Sequence, residues 1–562
     1  MTQPTLPLSA EWFERVRELT VQMVRWPSLT SSAGETQFAQ HLHHLLSQWP
    51  YFQAHPEHLH LERTSHDAVE RYSVFALVRG TANVDAPSPT AVLCGHYDVV
   101  SIDNFGELAD VAFDPEALLP RLIADLERDA RSSAAQRALH DLQSGDYLPG
   151  RGSLDMKSGL AAGLAVLERW ATQPSPPANV LFIAVPDEED TSQGMRSAVQ
   201  ALPKLAQRWN LSLTAAINLD AGVNLSRDDD GRAAFLGSVG KLLPSVFFVG
   251  VPTHAGAPFD GVNAALMAAE LTRLVEANPE AGDLSDGDPA AEMAPPPVTL
   301  YQTDRRTRYD VTTPATAWCA FNLLTHRRSP QAVLNTFVTL TQAAVASALD
   351  LMQTRGDRYA LGLGLPRLPR HWQPQVLTYA ELVAQVPQNR VQQIQHMLSS
   401  NTQLDNIAYS QELIASLVRE ANLSGPAAVV CLASVYYPLV QLNASPHDAA
   451  LRTAVIDVAG ELSAACGYEV GVRPFFSGIS DMSFVAGRDD AEGLRAVQDN
   501  TPIWGSRLTF DYGAASQLNL PIVNIGPWGH DYHQRTERVH MPYSFGVVPE
   551  FIWQVVRSVA GG

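Results

Sequence analysis

The sequence predicts an α/β protein in which a mostly parallel sheet is sandwiched by helices and interrupted by a smaller α+β domain. Three observations carry this expectation. The run VLFIAV (180–185) is apolar at every position, as suits a strand buried on both faces. Helical stretches such as Lys157–Thr172 and Gly194–Trp209 fall between such runs, the alternation of a layered α/β fold. Near Gly237 the rhythm changes to a short series of strands and helices that could fold separately.

Taken in order, Trp12, Val16, Leu19 and Met23 recur at helical spacing and Pro27 ends the segment. Phe38, Leu42, Leu45 and Leu46 mark a second helix over Gly34–Trp49. Strands follow at RYSVFALV (71–78), TAVLCGHYDVV (90–100), NVLFIAVP (179–186) and LTAAINLDA (213–221). Beyond Gly237, KLLPSVFFVGV reads as a strand and Ala264–Ala277 as a helix. A Pro-rich stretch (280–297), strand-like runs around Tyr309–Thr325 and a long helix over Pro330–Thr354 come next. Residues 366–425 have helical periodicity, and after Pro426 the buried runs AAVVCLASVYY and LPIVNIG return. The expected division is a first part of the main domain (1–236), an inserted α+β lid (237–365), a helical insertion (366–425) and a second part of the main domain (426–562).

Length and composition limit the function. For 562 residues, roughly two to four folding units are expected. Hydrophobic residues make up 46% and charged residues 17%, which argues for a packed core rather than disorder. Asp+Glu outnumber Lys+Arg by 59 to 39, and a formal charge of −20 disfavours nucleic acid as a partner. No run approaches the roughly 20 apolar residues of a spanning helix, so no membrane partner is expected. The N-terminus shows no apolar signal-peptide core. Cys94, Cys319, Cys431 and Cys466 are widely spaced with no Cys-x-x-Cys, which reads as a reduced, cytoplasmic thiol set.

Five positions at or just beyond the ends of expected strands could carry chemistry. His96, in GHYDVV, has Asp98 two residues on to fix its tautomer, although about one His-x-Asp arises by chance in a chain with 17 histidines. Asp155, in GRGSLDMKSG, precedes an apolar helix, where an N-cap is the commoner use. Asp187–Asp190 is an acidic run after a buried strand. Such a run is costly unless a cation neutralises it, and the competing reading is a solvated loop. Asp220 follows INL, and three histidines (His530, His533, His540) follow LPIVNIG, among which spacing does not choose. His96, Asp155, Glu189, Asp220 and His533 together form a hard oxygen and nitrogen donor set without cysteine, suited to zinc, with cobalt or manganese as alternatives. Two divalent ions would balance three carboxylates and a hydroxide. Glu188 is then left over as a base.

The ordered motifs GHYDVV, GRGSLDMKSG, PDEE, NLD and His533 followed by Glu537 resemble the di-zinc family of aminoacylase, acetylornithine deacetylase and succinyl-diaminopimelate desuccinylase. The resemblance implies a zinc-peptidase α/β domain with an inserted lid or dimerisation domain. It implies that Asp155 bridges two metals, His96 and Asp220 complete one site, and Glu189 and His533 complete the other. It further implies that Asp98 supports His96, Glu188 is the general base, and His254 of THAGAPFDGVNA stabilises the oxyanion. GISD (478–481) resembles a substrate-side loop. The sequence departs from the family in a long 101–149 segment, in the 366–425 insertion and in FNLLTHRR (321–328), where a lid arginine is usual. Size and layout most resemble the RocB-type branch, associated with arginine utilisation.

The expectation is a cytoplasmic, metal-dependent hydrolase that cleaves an amide bond in a small peptide or N-acyl amino acid. It uses a hydroxide between two metals and Glu188 as base. A carbamoyl or ureido hydrolase on the same plan, or a catalytically silent binding protein, is the alternative. The reading leans to a homodimer.

Overall fold

The computed structural model describes residues 10–560 apart from 68, 82–86, 130, 223–230, 284–293, 307, 367–370, 402, 444, 477 and 488–490. The first nine residues and most of the Pro-rich 280–297 stretch therefore lie outside the described residues. The chain forms two compact units: Met1–Ser238, Val440–Gly487 and Ala514–Gly562 make the first, and Val239–Leu439 with Arg488–Gly513 the second.

In the first unit, helices α1 (Ala10–Val24) and α2 (Ala33–Ser47) precede strands β1 (Leu59–Arg63), β2 (Tyr72–Val78) and β3 (Ser88–His96). Ser32 caps α2 by accepting from the Gly34 N–H. The 101–149 segment carries α3 (Pro115–Asp129) and α4 (Ser133–Ser144). Then follow α5 (Ser158–Ala171), β4 (Asn179–Val185), α6 (Gln193–Arg208), β5 (Leu211–Asn218) and β6 (Ala233–Phe235). The second unit contributes β7 (Pro244–Val249), α7 (Ala264–Val275), β8 (Val298–Thr303), β9 (Thr316–Thr325), α8 (Pro330–Gly362), β10 (Gln375–Thr378), α9 (Gln388–Ser399), α10 (Asn406–Glu420) and β11 (Ala427–Leu432). The chain returns to the first unit for α11 (Ala449–Cys466), β12 (Gly471–Arg473), β13 (Ile522–Ile525) and α12 (Val548–Ala560).

The first unit is a mixed α/β layer structure. Its sheet has the order β1-β2-β4-β3-β5-β13-β6-β12. The middle pairings β4–β3, β3–β5 and β5–β13 are parallel. β1–β2, β2–β4 and β13–β6 are antiparallel. Every residue of β4 is buried, as its apolar run from Val180 to Val185 requires. Helix α5 is buried from Ser158 to Leu167, and its Gly and Ala residues let it lie close to the sheet. Phe38, Leu164, Trp170, Phe182, Val523 and Phe551 share the resulting core. The middle strands β4, β3 and β5 run in one direction, so their carboxyl ends open on one edge, where ligands of such sheets bind.

The second unit is α+β, with the sheet order β8-β9-β7-β11-β10 and helices α7 and α8 packed on it. Two boundaries expected from the sequence are corrected. The run after Pro426 does not return to the first sheet: β11 pairs antiparallel with β7, Pro244 opposite Leu432. A strand buried on both faces reads alike in either sheet, so its pattern does not choose its partners. The 366–425 segment is not a separate helical body, because β10 lies within it and pairs parallel with β11. Helix α8 runs eight residues past the expected end at Thr354, to Gly362. It is long and apolar enough, by length and composition, to cross a bilayer, contrary to the expectation that no run approaches such a span. It buries Val333, Leu334, Phe337, Ala344 and Val345 within this unit.

Candidate metal centre

Three parallel strands deliver most of the site. His96 is the last residue of β3, the acidic run begins two residues after β4, and Asp220 lies two residues after β5. Close packing fixes Asp220. Asn524 accepts from its N–H at 3.1 Å and donates to its carbonyl at 2.8 Å. A Cβ on Gly526 would come within 1.8 Å of that carbonyl oxygen. Asp155 lies in the turn before α5 but does not cap it: the N-cap position is Lys157.

Asp155 lies between two histidines, with Oδ1 3.2 Å from His96 Nε2 and Oδ2 3.2 Å from His533 Nε2. Around each imidazole a group of three potential donors converges: His96, Asp155 and Asp220 in one, Asp155, Glu189 and His533 in the other. Glu189 Oε1 is 3.1 Å from His533 Nε2, Asp220 Oδ1 is 3.8 Å from His96 Nε2, and Glu188 Oε2 is 3.9 Å from the same nitrogen. Of the three late histidines, His533 is the one in these groups. His530 lies 3.9 Å from Asp141, and His540 is in ring contact with Tyr147 and Trp528. Asp155, Glu188, Glu189, Asp220 and His533 line a cavity of about 260 Å³ with Ala221, Phe476, Gly478, Ile479 and Tyr532. A further group, His55, Glu57 and His58, lies elsewhere in this unit, but His58 Nε2 accepts from Arg79 Nε.

The electrostatics fit a cation site. Burial, followed by the charges of Asp481, Asp220 and Glu189, holds Glu188 well above the usual carboxylate range. Burial and the neighbouring Asp155 push Glu189 up to about 6 and raise Asp220. Against the effect of burial, contacts with Asp155 and Glu189 raise His533 to about 10, and contacts with Asp155 and Asp220 raise His96. Asp155 Oδ1 is buried without a hydrogen-bond partner. A buried carboxylate set in which Asp155 lies between two imidazoles, one oxygen toward each, suits two divalent cations.

Asp98 does more than was expected of it. Its carboxylate accepts from the N–H groups of Glu188 (3.0 Å) and Glu189 (3.3 Å) and from the Thr30 hydroxyl. The nearer acceptor for His96 Nδ1 is the Asp98 main-chain carbonyl, at 3.1 Å against 3.5 Å for the carboxylate. Buried Arg71, the first residue of RYSVFALV and without a role there, bonds Asp67, Asp187 and Glu35 and so holds the base of the acidic turn. Asp187 adopts φ +68° there. Arg151 pairs with buried Glu537, whose other oxygen accepts from the Leu154 and Asp155 N–H groups. No periodicity marks Arg71; Arg151 and Glu537 stood in the quoted motifs without a role. His254 lies in the second unit, exposed, its Nδ1 accepting from the Gly256 N–H. The four cysteines are buried and free.

A family profile described as "Peptidase family M20/M25/M40" matches residues 135–499. The chain belongs to this peptidase family. It is 30% identical to the protein YqjN of Bacillus subtilis (strain 168), over 95% of this chain and 94% of that one. It is 28% identical to Protein RocB of the same organism, over 96% and 94%. Its fold is similar to that of a Staphylococcus aureus tripeptidase (TM-score 0.50, 14% identity, 98% and 99% covered). It is also similar to that of an M20 metallo-carboxypeptidase from Sulfolobus solfataricus (TM-score 0.50, 12% identity, 97% and 99% covered). The chain is thus a metal-dependent hydrolase of peptide or amide bonds. The profile spans Asp155, Glu188, Glu189 and Asp220 but neither His96 nor His533, which the geometry adds.

Glu35, behind the site, sets a pH dependence of stability. Burial, then the Asp98 charge, pushes its carboxyl from 4.5 to about 8. Between these values the folded state holds a proton that the unfolded chain has released, so this contribution is complete below pH 4.5 and is lost as pH rises through about 8. Urea titrations at about pH 5 and pH 8 should show a smaller stability difference for Glu35→Gln than for wild type; equal differences would contradict the assignment.

Proposed function

We propose that this hydrolase cleaves the amide bond of a small peptide or N-acyl amino acid at a two-metal centre. The observation that carries the reading is Asp155, 3.2 Å from each of two imidazoles. His96, Asp155 and Asp220 would hold one cation, and Asp155, Glu189 and His533 the other. The donor chemistry favours zinc, with cobalt or manganese as alternatives. When bound, the two cations would polarise the scissile carbonyl, acidify a water and favour the ionised form of Glu188. Glu188 then takes a proton from the attacking water and passes it to the leaving nitrogen. Asp98 holds the Glu188 and Glu189 amides and orients His96. His254 donates to the carbonyl oxygen as negative charge builds.

The cavity of about 260 Å³ supports a small substrate. Similarity to Protein RocB supports a role in arginine or other amino-acid catabolism. Four buried, free cysteines support a reducing, cytoplasmic compartment.

Glu188→Gln should retain both metals and lose turnover by about 10²–10⁴-fold, whereas Glu189→Gln should lower metal occupancy. Metal analysis and assays on a panel of dipeptides and N-acyl amino acids test this. Metal loss in the first variant and not the second would exchange the two roles. The proposal also carries a homodimer in which His254 serves the partner's site. Mixing inactive His254→Ala and Glu188→Gln under subunit exchange should restore about a quarter of wild-type activity. No recovery from folded, metal-loaded variants would place His254 in its own chain's site.

A further inference from the structure

The long 101–149 segment packs as a body on its own small core of Phe105, Leu108, Leu118, Leu122, Leu126 and Leu142. Its free side reaches the hairpin that carries His533. Strand Arg538–His540 of that hairpin pairs with Tyr147–Pro149 at the end of the segment. Arg535 bonds Asp125 of α3 at 2.7 Å, and Arg538 bonds Asp141 of α4 at 2.6 and 3.0 Å. The contact nearest the site is made by Asn104: its Nδ2 donates to the His533 main-chain carbonyl at 2.8 Å, and its Oδ1 accepts from Arg151 Nη2 at 3.2 Å. Arg151 Nη2 lies 3.3 Å from the same His533 carbonyl.

The hairpin needs such support. His533 adopts φ +62° and Asp531 φ +60°, left-handed conformations that disfavour side chains other than glycine. Within the turn, the Asp531 carboxylate accepts from Thr536 and Arg538. The His533 carbonyl is held from outside, by Asn104 and Arg151. Fixing this peptide fixes the start of the side chain, and so the direction in which the imidazole meets Asp155 and Glu189.

We propose that the 101–149 segment is a positioning device for one half of the metal centre, acting through Asn104 on the His533 carbonyl. The inference rests on the two-metal reading above. Asn104 touches neither substrate nor any donor atom of the site; it orients a ligand through that ligand's main chain. Its exposed position lets it be replaced with little effect on folding.

The test is cobalt(II) titration of the metal-free protein, followed by calorimetry, which separates the two binding steps. Wild type should bind two equivalents. Asn104→Ala and Asn104→Asp, which lose the donor with and without loss of size, should weaken one step by about tenfold and leave the other within about twofold. Asp125→Asn, which loosens the Arg535 tie, should shift the same step in the same direction. Wild-type binding of two equivalents with unchanged isotherms for the Asn104 variants, or with both steps weakened alike, would overturn the positioning role and leave the two-metal reading standing. A wild-type stoichiometry of one would overturn the two-metal reading and this inference with it.

Discussion

Several carboxylates at the ends of three neighbouring strands repel one another, and burial adds to the cost of their charges. Positive charge among them relieves that cost, and the position of Asp155 decides where it can sit. With one oxygen toward His96 and the other toward His533, this side chain divides the cluster into two three-donor groups that share a member. The rest of the first unit serves that arrangement. Strands with apolar, buried central runs bring His96, the acidic turn and Asp220 to one edge of the sheet. Glycines let α5 and the segment after β13 press against the Leu219–Asp220 backbone, where a Cβ on Gly159 would come within 1.9 Å of the Leu219 carbonyl oxygen. Buried Arg71 and Arg151 counter the negative charge behind the donors.

The fold of the first unit was legible because its middle strands contain fully apolar runs and most of its site residues fall at or just past their ends. The same property hid β11, which belongs to the second sheet. AAVVCL carries no polar face to distinguish one sheet from another, and its neighbour β7 lies far away in sequence. In the site, residue type and placement pointed to His96, Asp155, the acidic run and Asp220. They left His533 unresolved between His530 and His540, because the choice depends on a hairpin in which two residues take left-handed conformations. The supporting residues were less legible still. Arg71 meets Asp187 across 116 positions, and Arg151 meets Glu537 across 386. Such pairings leave no local pattern.

At Asp98 the structure adds contacts that spacing does not suggest. Spacing suggested a carboxylate behind His96, yet the carboxylate is engaged mainly by the Glu188 and Glu189 amides, and the main chain comes closer to the imidazole. One residue thereby couples the β3 end to the β4 end, and with them a donor from each three-residue group. The 101–149 segment extends the same logic to the far side of the site, where Asn104, Asp125 and Asp141, which lie in none of the sequence motifs, support the His533 hairpin.

The central claim is that Asp155 bridges two cations. Anomalous scattering at the zinc edge, from crystals grown with excess zinc, tests it most directly. The account predicts two peaks about 3.5–4 Å apart, one Asp155 oxygen on each, with His96 and Asp220 on the first and Glu189 and His533 on the second. A single peak, or a second cation bound by His530 or His540 in place of His533, would contradict it.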